Sequence, residues 1–119
     1  QLVRHPMQAH VSLLMGHINN ALGSATQAAW NYKTSIRLLN KVYTPLNLYS
    51  ASALYELGNL EIKIGDEKEA LKYYEECLDK RVKILGDQDT SVADVLFKID
   101  IIFCTVCIQI IRNIFLSKN

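Results

Sequence analysis

The sequence has almost no net charge, since 13 lysines and arginines stand against 12 aspartates and glutamates, which leaves +1 over 119 residues. A chain that binds nucleic acid usually carries a strong basic excess or a basic stripe. Neither is present, and the densest basic run, Lys80-Arg81 followed by Lys83, is typical of a solvated helix face. We therefore expect no nucleic-acid partner.

The sequence also lacks a run of roughly 20 apolar residues that would span a membrane. Its most apolar segment, Ile99 to Ile111, contains Asp100 and is followed by Arg112. The start at Gln1 has no apolar signal-peptide core, and the three cysteines are scattered. These features predict an intracellular, cytoplasmic protein without a membrane partner, and we expect the chain to be a piece of something longer.

Motifs for catalysis and cofactor binding are missing as well. There is no Gly-rich phosphate loop, no Gly-x-Ser-x-Gly and no His-Glu-x-x-His. Cys104 and Cys107 have CxxC spacing, but no second pair completes a zinc site, so we expect buried or half-buried structural thiols, with Cys77 in the core. His10 and His17 are too far apart on a helix to chelate one metal well. The sequence predicts no enzyme, no cofactor and no metal site in this chain.

What the sequence does have is a repeat of 42 residues. Small residues and a tyrosine return unchanged at this spacing: Gly16 as Gly58, Gly23 as Gly65, Ala28 as Ala70 and Tyr32 as Tyr74. A fixed period in this range is typical of stacked supersecondary units, each of which needs its neighbour to bury its apolar face.

Within each unit the pattern is helix, tight glycine turn, helix and linker. Apolar residues at spacings of three and four predict helices over about 7–22, 25–42, 47–64 and 67–85. Ser24 and Asp66 follow the turn glycines and are expected to cap the second helix of each unit. Gly16 and Gly58 fall inside helices, where glycine costs about 1 kcal/mol relative to alanine, so we expect a close helix–helix approach there. Ala28 and Ala70 are the matching small residues that we expect on the partner helix.

After Asp100 the repeat decays, although apolar residues continue. This segment is either one long terminal helix that caps the stack or foreign sequence. The sequence therefore predicts an all-α fold, an α-solenoid of antiparallel helix pairs, with units over 7–46 and 47–88 and a degenerate third unit or capping helix over 89–119.

The residues that recur resemble those of a known family. Leu57-Gly58, Gly65, Glu69-Ala70, Tyr73-Tyr74 and the run from Lys83 to Asp87 are similar to the tetratricopeptide repeat (TPR), in the 42-residue variety found in kinesin light chains. The resemblance implies a protein–protein interaction module, a scaffold or adaptor whose concave groove holds a peptide or helix of a protein partner.

In that family the first helix of each unit lines the groove, and the positions carry over to this chain residue by residue. Leu13, Tyr55 and Phe97 are repeat equivalents that would form a stripe along it. The groove candidates are His10, Leu13, His17, Tyr55, Asn59, Asp94 and Lys98. That several of these simply pack between repeats stays an open alternative.

The resemblance also allows an expectation about the ligand. TPR domains that hold acidic chaperone tails use a clamp of lysine, asparagine and arginine side chains. Glu56 and Asp94 would repel a carboxylate here, so we predict that this chain is not such a clamp.

A looser resemblance gives a second hypothesis. The stretch from Lys41 to Ser52, running into Leu57-Gly58, is similar to the C-terminal helical region of SET and MYND domain lysine methyltransferases, which is not catalytic by itself. A third possibility is an internal part of a longer repeat array without a partner of its own. In each case the apolar C-terminal segment is a candidate for self-association.

Overall fold

The structure, a computed structural model, describes residues 6–117 and has five α-helices in that range. In chain order these are α1 (Pro6–Ala21), α2 (Ala25–Val42), α3 (Leu48–Ile64), α4 (Glu67–Leu85) and α5 (Thr90–Ser117). No strand occurs in the described part of the chain. The predicted all-α class is confirmed, and the four predicted helix ranges agree with α1 to α4 within one residue.

The two tight turns show why glycine recurs at 42-residue spacing. Gly23 and Gly65 have φ angles of 82° and 97°, in the left-handed region that favours glycine. After the second turn, Asp66 caps α4, since its Oδ1 accepts a hydrogen bond of 3.1 Å from the backbone N–H of Glu69. The prediction that Ser24 caps α2 in the same way is wrong, because its side chain makes no capping bond. Its backbone angles are similar to those of Asp66, but its hydroxyl is carried on a shorter side chain.

The helices pack as a row and not around one centre. α1 packs on α2 and α3 on α4, while α2–α3 contacts join the two pairs and α4–α5 contacts attach the last helix. Three clusters of buried residues follow one another along the row, and Tyr32 and Tyr74 lie in two of them with no exposed surface. The radius of gyration is 16.6 Å, against about 13.5 Å for a compact domain of this length. An elongated helical solenoid is the result.

Each helix pair is closed by a tyrosine ring lying on a glycine. A Cβ added at Gly16 would lie 2.7 Å from both Cδ1 and Cε1 of Tyr32, and one added at Gly58 would lie within 3.0 Å of three ring atoms of Tyr74. The expected close approach at the helix-interior glycines is therefore confirmed. The group that fills the space is the repeating tyrosine and not the repeating alanine.

The last helix runs without a break through residue 107 to residue 117. Its buried residues, Val92, Val95, Ile99 and Ile102, are spaced by three and four and face the helix pair before it. Beyond them α5 is largely exposed. Within the described residues, no helix is long and apolar enough to cross a membrane.

The cysteines are placed differently from one another. Cys77 has no exposed surface, as predicted, and burial raises the pKa of its thiol to about 11. Cys104 and Cys107 are exposed, so the prediction of buried or half-buried thiols is wrong for both. Cys104 lies opposite the face of α5 that packs on α4, and Cys107 lies at the side of the helix beyond Ile102, the last buried residue of α5.

Candidate functional site

A groove of about 480 Å³ lies among α1, α3 and α5, with one side chain of α4 at its base. Its base is apolar and buried, since Tyr74, Leu60 and Ile102 are 0%, 2% and 4% exposed. Half-exposed isoleucines and polar side chains form its walls. The lining residues are Asn20, Glu56, Asn59, Leu60, Ile62, Lys63, Tyr74, Lys98, Ile101 and Ile102.

The groove is built by the 42-residue repeat. Six of its lining residues form three pairs at that spacing, one member of each on α3 and the other on α1 or α5. The pairs are Asn20 with Ile62, Glu56 with Lys98, and Asn59 with Ile101. Because equivalent positions of successive units present their side chains to the same side, the groove runs across the first helices of the repeats.

A hydrogen-bonded chain fixes the polar wall. The Tyr74 hydroxyl donates to Asn59 Oδ1 at 2.6 Å, and Asn59 Nδ2 donates to Glu56 Oε1 at 3.3 Å. Burial raises the pKa of Tyr74, so the phenol stays protonated and remains a donor. The amide of Asn59 is thus oriented by the protein before any ligand arrives.

The equivalent bond recurs one repeat earlier, with a different acceptor. The Tyr32 hydroxyl lies 2.9 Å from His17 Nδ1, and burial raises the pKa of Tyr32 to about 12. The phenol donates to Nδ1 in the imidazole tautomer that carries its proton on Nε2. In both units the core tyrosine reaches through the helix pair to position a polar side chain on the first helix.

The charges around the groove are mixed. Glu56 and Lys63 lie on α3, and Lys98 lies on α5. The side-chain amides of Asn20 and Asn59 line the same groove. No cluster of three or more histidine, cysteine or acidic side chains suited to a metal occurs among residues 6–117. An apolar base flanked by amides and both signs of charge is an arrangement that suits peptide binding.

Two of the predicted site residues, Asn59 and Lys98, line this groove. Tyr55 is half-buried against the core, with its ring centroid 5.9 Å from that of Tyr74 and the Arg81 guanidinium 4.9 Å above it. Asp94 is exposed, one turn before Lys98. Burial, with the Asp94 carboxylate as the next cause, raises the pKa of Tyr55.

The other three predicted residues lie toward the N-terminal end and do not line this groove. Leu13 is half-buried against two core clusters, which is the packing alternative that the sequence left open. His10 belongs to a small aromatic cluster, with Nε2 2.9 Å from the Tyr43 hydroxyl and its ring centroid 4.5 Å from that of Tyr49. His17 is held by Tyr32 as described above.

Sequence reasoning missed four residues of the groove wall as ligand-facing candidates: Asn20, Ile62, Lys63 and Ile101. Three of these are repeat equivalents of other groove residues. Extending every candidate by 42 residues in both directions would have found Ile101 from Asn59. Lys63 carries no such signal.

A second depression, of about 560 Å³, lies on the α4 side of the molecule beside the linker after α2. Three of its five charged side chains already have partners in the chain: Lys83 is 3.0 Å from Asp79, and Lys80 donates to the Pro45 carbonyl. It has no buried apolar base. We therefore regard the groove among α1, α3 and α5 as the better candidate.

Comparison with known proteins agrees with this architecture. The sequence profile described as "Tetratricopeptide repeat" matches residues 8–97, about three quarters of the chain. A search of curated proteins finds no significant match. Neither comparison supports the looser likeness to SET and MYND domain enzymes. The chain belongs to the tetratricopeptide repeat family, whose members are typically non-enzymatic scaffolds for protein–protein interaction.

Proposed function

We propose that the groove among α1, α3 and α5 binds a peptide or helix of a protein partner, and that the chain acts as a scaffold or adaptor in this way. The observation that carries the proposal is the combination of a buried apolar base with a wall of preset polar groups. A partner side chain that covers the base contributes affinity at about 25 cal/mol per Å² of apolar surface removed from water. Hydrogen bonds to the wall contribute specificity.

Within this proposal the predicted site residues have different roles. Asn59 and Lys98 contact the ligand directly. Tyr55 and Leu13 support the helices that carry those contacts, since both are half-buried against the core. His10, His17 and Asp94 stand beyond the groove and extend the surface available to a longer ligand.

Rigidity is part of the proposed mechanism. The rings of Tyr32 and Tyr74 lie on glycines of the facing helices, so neither helix pair has room to shift closer. A preformed groove loses little conformational entropy on binding, which leaves more of the contact energy as affinity.

Selection of peptides from a random display library on the immobilised chain tests the proposal. We expect selected peptides to lose at least tenfold in affinity with Lys98→Glu or Asn59→Ala. Lys72→Glu is the matched control, because Lys72 is exposed on α4 and pairs only with Glu69 at 3.7 Å. Failure to select any peptide, or equal loss with the control, would contradict the proposal.

Several finer expectations belong to the same proposal. The units run over 7–46, 47–88 and 89–119, and the setting is intracellular and cytoplasmic. We expect an acidic chaperone-type tail not to be the ligand, because Glu56 lines the groove and opposes a carboxylate there, although Lys63 and Lys98 line it as well. Measurable, salt-sensitive binding of an EEVD-ended peptide would show this last expectation to be wrong.

We also propose that the apolar C-terminal segment mediates self-association. The supporting observation is its exposure: Ile108, Ile111 and Phe115 are 63%, 55% and 68% exposed. Contiguous exposed apolar surface of this kind marks interaction sites in soluble proteins. Light scattering on the full chain tests this, and a mass of one chain at every concentration would contradict it.

A further inference from the structure

One set of exposed residues on α5 forms an ordered stripe. Its six members are spaced by four, three, four, three and four along the helix: Phe97, Ile101, Cys104, Ile108, Ile111 and Phe115. Every one of these side chains is exposed. Other sides of the helix also carry exposed apolar residues, since Phe103, Ile110 and Ile114 are 53%, 54% and 51% exposed. At 3.6 residues per turn the stripe lies opposite the face that packs on α4. Alternating spacings of four and three residues are the pattern of a helix that pairs with another long helix.

The stripe is not prepared for another repeat helix. In the repeat, a tyrosine ring of the following helix lies on Gly58 of α3. The equivalent position on α5 is Asp100, and the equivalent of the turn glycine Gly65 is Cys107, where the helix continues. A sixth helix packed in the repeat geometry therefore has neither the turn nor the space for its ring.

We propose that two copies of the chain pair through α5 in antiparallel orientation, centred on Val106, a geometry that rests on the self-association proposed above. At this centre Phe97 of one copy meets Phe115 of the second copy, and Ile101 meets Ile111. Cys104 meets Ile108. The stripe is thus self-complementary, as a two-fold interface requires, with aromatic against aromatic and aliphatic against aliphatic.

The antiparallel orientation follows from how α5 is supported. Its inward-facing residues Val95, Ile99 and Ile102 pack on the core, whereas most of the residues from 103 to 117 are exposed. Isolated helical segments shorter than about 12–15 residues are marginal in water. An antiparallel partner lays the supported half of its α5 against the unsupported half of the first. It also opposes the two helix dipoles.

The area of the stripe is sufficient for a specific dimer. Its five large residues are between 45% and 68% exposed. At about 100 Å² of accessible surface for each, two copies cover about 1,000 Å², which reaches the lower limit for a specific interface of about 1,000 Å². The charged residues Lys98, Asp100 and Arg112 lie at the edges of the stripe, so none is buried by the pairing.

The first test is the mass of the full chain in solution at micromolar concentration. We expect twice the 13.5 kDa of one chain. Ile108→Lys, in the stripe, is expected to give one chain, and Asn113→Lys, on the opposite side of the helix, to leave the mass doubled. Far-UV circular dichroism checks that both variants stay helical. A single-chain mass for the wild type, or equal behaviour of the two variants, would overturn the pairing and leave the face to a different partner.

The second test determines the orientation from the native cysteines, and it can fail while self-association stands. In the proposed antiparallel pair, the two Cys107 residues lie on the same edge of the interface. Their positions along the helix axis differ by about 3 Å, at 1.5 Å per residue. A parallel pair would place these thiols on opposite edges and bring the two Cys104 residues together. With Cys104→Ser, a short bismaleimide is expected to cross-link the dimer through Cys107, since Cys77 is buried. A doubled mass without that cross-link would overturn the antiparallel register alone.

Discussion

Replacing Gly58 by alanine is expected to destabilise the protein, although it improves the intrinsic helix propensity of α3. The added methyl group would lie 2.7 Å from Cδ1 and 2.9 Å from Cζ of Tyr74, distances that real Cβ atoms essentially never show. Tyr74 has no exposed surface, and its hydroxyl is held by Asn59. The ring therefore has no free direction in which to move.

The expected magnitude is the difference of two opposing effects. Alanine in a helix interior is favoured over glycine by about 1 kcal/mol. Forcing a methyl group into a packed core costs typically about 1–3 kcal/mol and occasionally more. Because the methyl group meets three ring atoms here, we expect the cost to prevail and the free energy of unfolding to fall by about 1–2 kcal/mol. Urea unfolding followed by far-UV circular dichroism measures this change.

Making the same substitution in a Tyr74→Leu variant separates the two effects. In Tyr74→Leu the ring is absent, so Gly58→Ala is expected to be neutral or to stabilise by up to about 1 kcal/mol, which is the helix-propensity gain alone. The sign of the alanine effect thus reverses with the residue at position 74. If Gly58→Ala stabilises the otherwise unchanged protein, the explanation of the repeated glycine by the tyrosine ring is refuted.

Three further outcomes follow from the local structure. Asp66→Ala is expected to lower the free energy of unfolding by about 1 kcal/mol, because it removes the cap of α4. Ser24→Ala is expected to change the free energy of unfolding by less than about 0.5 kcal/mol, because Ser24 makes no capping bond. Equal effects of the two substitutions in urea unfolding would contradict this. Hydrogen bonds from Ser91 hold the pKa of Asp89 below its ordinary value, so the stability that Asp89 contributes is present above the ordinary carboxyl pKa and is lost as the pH falls through the lowered value. Asp89→Asn should flatten the acid limb of the stability profile, and an unchanged limb would contradict the assignment. Cys77 should resist thiol labelling until the protein unfolds, because its side chain is buried. Rapid labelling in native buffer would contradict this placement of Cys77 in the core.

Much of the fold was predictable because two kinds of sequence information agree. Gly65 indicates a turn by itself, since glycine favours the left-handed backbone found there. The same residue type recurs 42 positions earlier at Gly23, which predicts the same turn in the preceding unit. The partner of Gly58 was harder to identify. The sequence places Ala70 and Tyr74 on the same facing helix, and only side-chain packing determines that the ring lies on the glycine.

The groove was predictable only in part. Asn59 and Lys98 follow from the resemblance, because they lie on the first helices of their units. Lys63 does not, since it stands at the end of α3 and reaches the groove through a long side chain. Leu13 shows the opposite difficulty: this repeat position resembles a groove residue, but its side chain packs against buried residues of α2 and α3.

The most direct test of the central claim is to map a selected peptide on the protein by NMR titration. The proposed groove predicts that the largest shift changes, including those of side-chain amides, fall on Asn20, Asn59 and Lys98. Changes confined to the α4 surface around Glu75 and Glu76, or to the exposed residues of α5 beyond Ile102, would contradict the assignment of the groove as the binding site.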